Sequence, residues 1–358
     1  MIDLDKLSTR DATYSGDGRH SGLMRELDHP ISIGVTGSMF HYVLQGIYLD
    51  FCRSDEFKRI EEIRQLGLIG TSERYYQANH NRGLHSLFVA VMTDIVLTRA
   101  GFEYQTVKTG IMAGLCHDLA MPPVSDQGKM MGPDRLDEEK NLEKLLKQSN
   151  VLPVIFEQYG LSFEEVISCV KGEHPIIGPL INSAQSLDLD NVAYLLLDHS
   201  KFILEFPLDD LKSFVKSPTK PFEAYLNLKR IKNQWAFNSP EQIRDLLYFR
   251  AMSYQRIYCN PWNQAKSAFM GKWLQKLNHK GKLSFSEMLT MDDEQFEARL
   301  RENIPKNVYK GFFHQGVYFD EIDREYDLTK LDDLKKRYQN DPLIVVHKFK
   351  LPRSATDT

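Results

Sequence analysis

The chain has 358 residues, 42% hydrophobic and 26% charged, the balance of a soluble globular protein with room for one large domain or two ordinary ones. A formal net charge of −4 excludes a global basic field for nucleic acid or acidic lipid. No stretch reaches the roughly 18 apolar residues of a membrane span, and "MIDLDKLSTRDATYSGDGRH" carries no apolar leader core, so the expected location is the cytoplasm. Cys52, Cys116, Cys169 and Cys259 form no CxxC pair and read as buried reduced thiols.

In chain order, residues 1–27 are polar and predict a loosely held arm. "SDEFKRIEEIRQLG" opens on a Ser/Asp cap, carries Phe57, Ile60, Ile63 and Leu66 at three-residue steps and ends in Gly67, which predicts a helix. "LHSLFVAVMTDIVLTRAG" is apolar almost all round and predicts a central helix; "TVKTGIMAGLCHDLA" predicts a third. "EEKNLEKLLKQ" and "FEEVISCVKG" are amphipathic, and "LDNVAYLLLDHSKFILEF" is largely apolar. "SPEQIRDLLYFRAMSYQRIYCN" and "NQAKSAFMGKWLQKLNH" continue the helical pattern to about residue 280. Strand signals are confined to "GVYFDEI" and "DPLIVVHKFKLP". The expected architecture is all-α, with an arm over 1–27, a helical domain over 28–280 and a mixed C-terminal region over 281–358.

Polar residues interrupt these apolar helices at three places. His85 lies in the second, His117 and Asp118 end the third, and Asp190 opens the later apolar helix. An unpaired charge beside a long hydrophobic run is costly. Each residue alone reads as a hydrogen-bonded core or capping group. The order H…HD…D reads differently, because one divalent metal with oxygen and nitrogen ligands explains all of them.

In these residues the chain resembles the HD-domain metal-dependent phosphohydrolases, and within them the deoxynucleoside triphosphate triphosphohydrolase branch. The resemblance covers about residues 28–277. It rests on "SDEFKRIEEIRQLG", on "HNRGLHS" for His-x-Arg-x-x-His-Ser, and on "AGLCHDLA" for Ala-Gly-Leu-x-His-Asp-Leu. It rests also on "LDLDNVAYLLLD" and on "YFRAMSYQRIY". It implies that His85, His117, Asp118 and Asp190 bind one divalent ion, with Mn, Fe or Mg as the candidates. It further implies that Gln65 reads the sugar 3'-hydroxyl, that Tyr194 and Asp198 help hold the sugar, that Arg82 and Arg250 meet phosphate, and that Tyr258 lines the sugar pocket. The helix period agrees: Asp190, Tyr194 and Asp198 step by four, and Arg250 and Tyr258 lie two turns apart.

The departures fall in the acid/base set. Where the branch reads Gly-His-Gly-Pro-x-Ser-His after the HD pair, this chain reads "AMPPVSD", so Met121 and Asp126 replace two histidines. The next family histidine falls in "DRLDEEKNLEKLL", which offers Asp137, Glu138 and Glu139. Asp126 as base with Glu138 as acid is one replacement, since a carboxylate can do proton work if its environment raises its pKa; a solvated first helical turn is the plain alternative. His174 in "KGEHPIIG" is a further candidate donor, and His80 and His199 flank the motifs. Lys58 and Glu61 replace the glutamine and arginine of nucleotide-activated relatives, so no activation by guanine nucleotides is expected.

Three functions follow. The first is metal-dependent hydrolysis of a nucleotide, in its finer form dNTP to deoxynucleoside plus triphosphate. The second keeps the chemistry on another nucleotide or phosphoester. The third is a non-catalytic, nucleotide-binding regulator. The expected partners are a nucleotide and further copies of the chain, with no membrane and no nucleic acid.

Overall fold

The computed structural model describes residues 30–35, 38–44, 46–71, 80–183, 188–202, 225–231, 234–236, 247, 250–251, 253–259 and 261–313. Among them the protein is all-α apart from two antiparallel ribbons. β1 (Pro30–Val35) pairs with β2 (Ser38–Val43), with Ile33 opposite Phe40, and β3 (Lys229–Ile231) pairs with β4 (Gln234–Ala236). Neither ribbon was anticipated, although β-branched and aromatic residues around a Gly-bearing turn in "PISIGVTGSMFHYV" carry a hairpin signal. The strands expected in "GVYFDEI" and "DPLIVVHKFKLP", and the arm over 1–27, lie outside the described residues.

The core is built on α3 (Arg82–Arg99) and α4 (Tyr104–Cys116). Both carry small residues where they meet. A Cβ on Gly114 would sit 2.6 Å from Ala90 Cα, and one on Gly110 would sit 2.4 Å from Leu97 Cδ1. Two backbones approach this closely only where a side chain is missing. Around this pair lie α1 (Ile47–Cys52), α2 (Asp55–Glu61), α6 (Glu138–Gln148), α7 (Leu152–Tyr159), α8 (Phe163–Val170), α9 (Gly178–Ile181) and α10 (Leu189–Phe202). α8 packs on α4 and α10 on α3. Phe51, Phe57, Phe88, Met92, Val96 and Leu115 are among the fully buried members of this core.

α2 is shorter than the apolar steps to Leu66 imply. It ends at Glu61; Glu62 and Ile63 N–H close a tight last turn onto Arg59 O and Ile60 O, and the next donors find tertiary partners. Arg64 N–H goes to Asp293 Oδ2 and Gln65 N–H to His80 O, while Arg82 N–H returns to Ile63 O. Those bonds replace the i→i−4 ladder and fold residues 62–70 into a loop.

A second core lies at the other end. The short helix α5 (Asp126–Lys129) and the long α11 (Pro261–His279) are followed by α12 (Phe285–Met288), α13 (Asp293–Asn303) and α14 (Lys306–Phe313). Leu68, Val124 and Met131 pack here with Met270, Leu274, Phe296, Leu300 and Phe312. Residues on both sides of position 280 thus share one apolar core. The described part of the expected mixed region is helical. Capping boxes at Ser284/Glu287 and Asp292/Gln295 start two of its helices, a sequence signature hidden by the high charge of the segment. No helix among the described residues is long and apolar enough to cross a membrane.

Candidate metal centre

His85 sits in the first turns of α3, completely buried. The helix starts where Asn81 caps it, its side chain accepting from Leu84 N–H at 2.7 Å. His117 is the C-cap of α4, and its Nδ1 donates to Gly114 O at 2.8 Å. That bond makes Nδ1 the donor to the backbone and turns Nε2 inward. Asp190 enters from the start of α10.

The three side chains converge. His85 Nε2 lies 2.8 Å from Asp190 Oδ1 and 3.2 Å from His117 Nε2, and His117 Nε2 lies 3.6 Å from Asp190 Oδ1. Two imidazole nitrogens and a carboxylate oxygen this close together could hold a metal ion, and a nitrogen/oxygen donor set suits a divalent cation. Burial pushes the His85 pKa down. Burial acts the same way on His117, but the carboxylates of Asp118 and Asp190 outweigh it and raise that imidazole to about 9. Burial opposes ionisation of Asp190 as well, yet the facing His117 and His85 imidazoles hold it well below the usual carboxylate range. Without a metal, a proton on His117 serves as the cation.

Asp118 stands at the edge of the group, its Oδ2 3.7 Å from His85 Nε2 and 3.6 Å from His117 Nε2. Its close partner is Arg82, at 2.8 Å from Nη1. The sequence reading aimed Arg82 at a phosphate. In the structure the guanidinium is buried and held by Asp118, by Ser125 Oγ at 3.0 Å, by Gln65 O at 3.4 Å and by Asp126 at 3.4 Å. A line of alternating charges continues outward: Lys129 Nζ lies 3.1 Å from Asp126 and 2.6 Å from Glu138. Desolvation works against the Asp126 charge, but Lys129 and then Arg82 prevail and hold its pKa at about 2. A carboxylate held that low is a weak base. Burial raises Glu138, partly offset by Lys129.

The loop carrying this line is strained. Val124 and Ser125 have φ of 53° and 55°, a region that costs non-glycine residues about 1–3 kcal/mol each and is worst for a β-branched one. Gly67 presses against it: a Cβ there would lie 2.2 Å from Val124 O.

A second polar group adjoins the first through α10 and the loop of Gln65. Tyr258 OH donates to Asp198, and Tyr194 OH meets Tyr254 OH at 3.3 Å. Arg250 Nε donates to Tyr194 OH at 3.3 Å and its guanidinium lies 5.2 Å from the Tyr254 ring centre. Residues Tyr254–Tyr258 form a π-helical turn, a distortion frequent at functional sites. Gln65 Oε1, both ring nitrogens of His80 and Asp198 Oδ1 are buried without a hydrogen-bond partner among the described residues. His80 Nε2 is 2.9 Å from Asp198 Oδ1, close in distance but off hydrogen-bond geometry.

The structure therefore brings together His85, His117, Asp190 and Asp118, joins Arg82, Asp126 and Glu138 to them as an ion chain, and gathers Gln65, Tyr194, Asp198, Arg250 and Tyr258 around the second group. His174 stands apart. Its Nδ1 accepts from the N–H groups of Ile176 and Ile177, its Nε2 lies 3.7 Å from Glu165, and no contact joins it to either group among the described residues. The His199 side chain lies outside them. Lys58 and Glu61 line a cavity of about 860 Å³ that none of the metal-group residues borders; burial, then Glu62, pushes Glu61 up to about 8 against the pull of Lys58. Lys129, Ser125 and Tyr254 were missed. Tyr254 lies midway between Arg250 and Tyr258 at four-residue steps, the same spacing that singled out Tyr194. Ser125 and Lys129 had no such signal, since both act through a loop.

No family model matches the chain, and no curated protein matches it. Solved structures do. A hypothetical protein from Aquifex aeolicus shares the fold with a TM-score of 0.63 at 18% identity, over 79% of this chain and 75% of that one. A phosphohydrolase from Bacteroides thetaiotaomicron does so with a TM-score of 0.59 at 16% identity, over 79% of this chain and 76% of that one. At such identity the likeness is one of fold.

Proposed function

We propose that the chain is a metal-dependent phosphohydrolase of the HD type that acts on a nucleotide. The observation that carries this reading is the convergence of His85 Nε2, His117 Nε2 and Asp190 Oδ1 within 4.8 Å of one another, beside a polar group with unpaired buried atoms. A divalent ion held by these residues and Asp118 would supply Lewis acidity for a phosphoryl oxygen and a more acidic bound water. Arg82 orients Asp118. Gln65 Oε1 and His80 Nδ1, without a hydrogen-bond partner among the described residues, offer a ligand polar atoms that suit sugar hydroxyls. Glu138, raised by burial, is a better proton carrier than Asp126, whose charge instead holds Arg82 and Lys129. The shared fold with a phosphohydrolase supports the reading by analogy.

In its finer form the substrate is a deoxynucleoside triphosphate, cleaved to nucleoside and triphosphate, with Arg250 toward the phosphates and Tyr258 crowding the sugar 2' position. One observation favours a different phosphoester: Arg82 is engaged by Asp118, and Lys129 by Asp126 and Glu138, so neither is open to a phosphate chain.

The test is a screen of purified protein reconstituted with Mn, Fe, Co, Mg or Ni against dNTPs, NTPs, monophosphates and simple phosphodiesters, with products separated by chromatography. Metal-dependent release of triphosphate from dNTPs alone establishes the finer form. Turnover confined to another ester moves the assignment there. Nucleotide binding with no turnover under any metal leaves a regulatory role and ends the hydrolase reading.

A further inference from the structure

Asp293 is the first residue of α13, and a charge there has an ordinary reason, the helix dipole. Its surroundings are not ordinary for a first-turn carboxylate, because it is 5% exposed. Oδ1 accepts from Val124 N–H at 2.6 Å, Oδ2 accepts from Arg64 N–H at 3.1 Å, and Arg64 Nε lies 2.8 Å away. The two backbone donors belong to the two loops that meet the metal centre. Val124 is one of the two non-glycine residues with positive φ among the described residues, and such a conformation persists only where neighbours enforce it. Arg64 precedes Gln65 and passes its own carbonyl to Ser125 Oγ at 2.5 Å, the hydroxyl that in turn accepts from Arg82 Nε. Arg82 holds Asp118. A second tie runs parallel: Arg59 donates to Leu119 O and Met121 O behind the His117–Asp118 pair and also to Met291 O beside α13.

We infer that Asp293 is a positioning residue for the metal centre, a brace from the C-terminal helices that sets the loops of Gln65 and Ser125 and through them Arg82 and Asp118. The inference rests on the metal reading proposed above. A carboxylate is suited to the task because it offers acceptor sites to two converging backbone donors and a guanidinium at once, whereas an amide must turn one donor toward another donor.

Asp293→Asn in the full chain tests it, with Leu300→Ala as the comparison, since Leu300 lies on the same helix, fully buried in the second core. Three quantities are measured on each protein: thermal stability, Mn²⁺ affinity by calorimetry, and amide hydrogen exchange over residues 119–128. Asp293→Asn is expected to weaken Mn²⁺ binding by up to about 10-fold, the low end of the range found when a direct partner of a metal ligand is lost, and to speed exchange at Val124. Leu300→Ala is expected to lower stability at least as much and to leave Mn²⁺ affinity at the wild-type value. Wild-type affinity and exchange in Asp293→Asn overturn the inference. So does a loss of Mn²⁺ affinity in Leu300→Ala that matches its loss of stability. If the wild type binds no Mn²⁺, the metal reading fails on its own, and exchange at Val124 then decides whether Asp293 braces the loop.

Discussion

The two polar groups of this site are side by side and built on opposite principles. In the metal group most polar atoms meet one another: His117 is tied to Gly114, His85 to Asp190, and Asp118 to Arg82, with His85 Nδ1 alone lacking a hydrogen-bond partner among the described residues. In the neighbouring group, Gln65 Oε1 and His80 Nδ1 are buried with no hydrogen-bond partner among the described residues, and His80 Nε2 and Asp198 Oδ1 have only each other, at 2.9 Å. Buried polar groups are nearly always satisfied, so orphans gathered in one place signal a missing partner. The first group could hold a cation, and on the reading proposed above the second takes a ligand through Gln65 and His80. Substitutions should therefore act on metal content and stability in one, and on ligand affinity in the other.

The largest effect is expected from Asp190→Ala. It removes the carboxylate that both imidazoles face, and metal affinity should fall by more than the about 10- to 100-fold typical of an outer partner. Elemental analysis after reconstitution reads it directly. Stoichiometric metal in this variant would dissolve the distinction between the groups.

Arg82→Met should come next, and its main readout is stability. Asp118 and Arg82 are both buried, with side chains 5% and 7% exposed, and a buried charge stripped of its partner costs about 3–5 kcal/mol. Denaturant unfolding that shows less than about 1 kcal/mol would mean that Asp118 finds another partner, and that the ion chain through Asp126, Lys129 and Glu138 is not what holds it. The same variant sharpens the substrate question, because an arginine spent on structure should change phosphate affinity mainly through the metal.

The pair of groups also shows which features a sequence can carry. The convergence of His85, His117 and Asp190 was legible because polar residues interrupting apolar helices stand out, and helix periods place Asp190, Tyr194 and Asp198 on one face. The central helices were legible for the same reason. Helix ends were less so: α2 stops at Glu61 because Arg64, Gln65 and Arg82 make tertiary backbone bonds, and no local pattern announces those. The role of Arg82 was misread for a related reason. Position on a helix told which way it faces, but not that Ser125, Asp126 and Asp118 would be there to receive it. Asp293 was invisible, since its partners Arg64 and Val124 lie far away in sequence.

Proton release separates the groups by a third route. The Asp118 and Asp190 carboxylates hold the His117 imidazole up at about 9 against the effect of burial, so below that pH a bound metal must displace a proton from it. Metal affinity should then rise with pH toward about 9, roughly tenfold per unit, with about one proton released per ion. Calorimetry in buffers of different ionisation enthalpy counts the proton. A pH-independent affinity between 6 and 8 in that assay would show that His117 enters the metal-free site neutral, with its Nε2 lone pair already open.

The smallest effect, and the one that most directly probes the second group, belongs to Gln65→Met. Gln65 is 8% exposed and its Oε1 has no partner, so the folded protein without ligand gains nothing from that oxygen. Removing a buried unsatisfied acceptor should leave stability unchanged or raise it by up to about 1 kcal/mol, because its desolvation is no longer uncompensated. The backbone carbonyl that receives Arg82 is untouched, so metal content should match the wild type. A nucleotide that uses the side chain, in contrast, loses one hydrogen bond, about 1 kcal/mol and hence roughly fivefold in affinity. Stability and affinity thus move in opposite directions in a single variant, which a general loosening of the fold cannot produce. If Gln65→Met instead lowers stability while nucleotide affinity holds, the oxygen has an unseen structural partner, and the second group is finished in the same sense as the first.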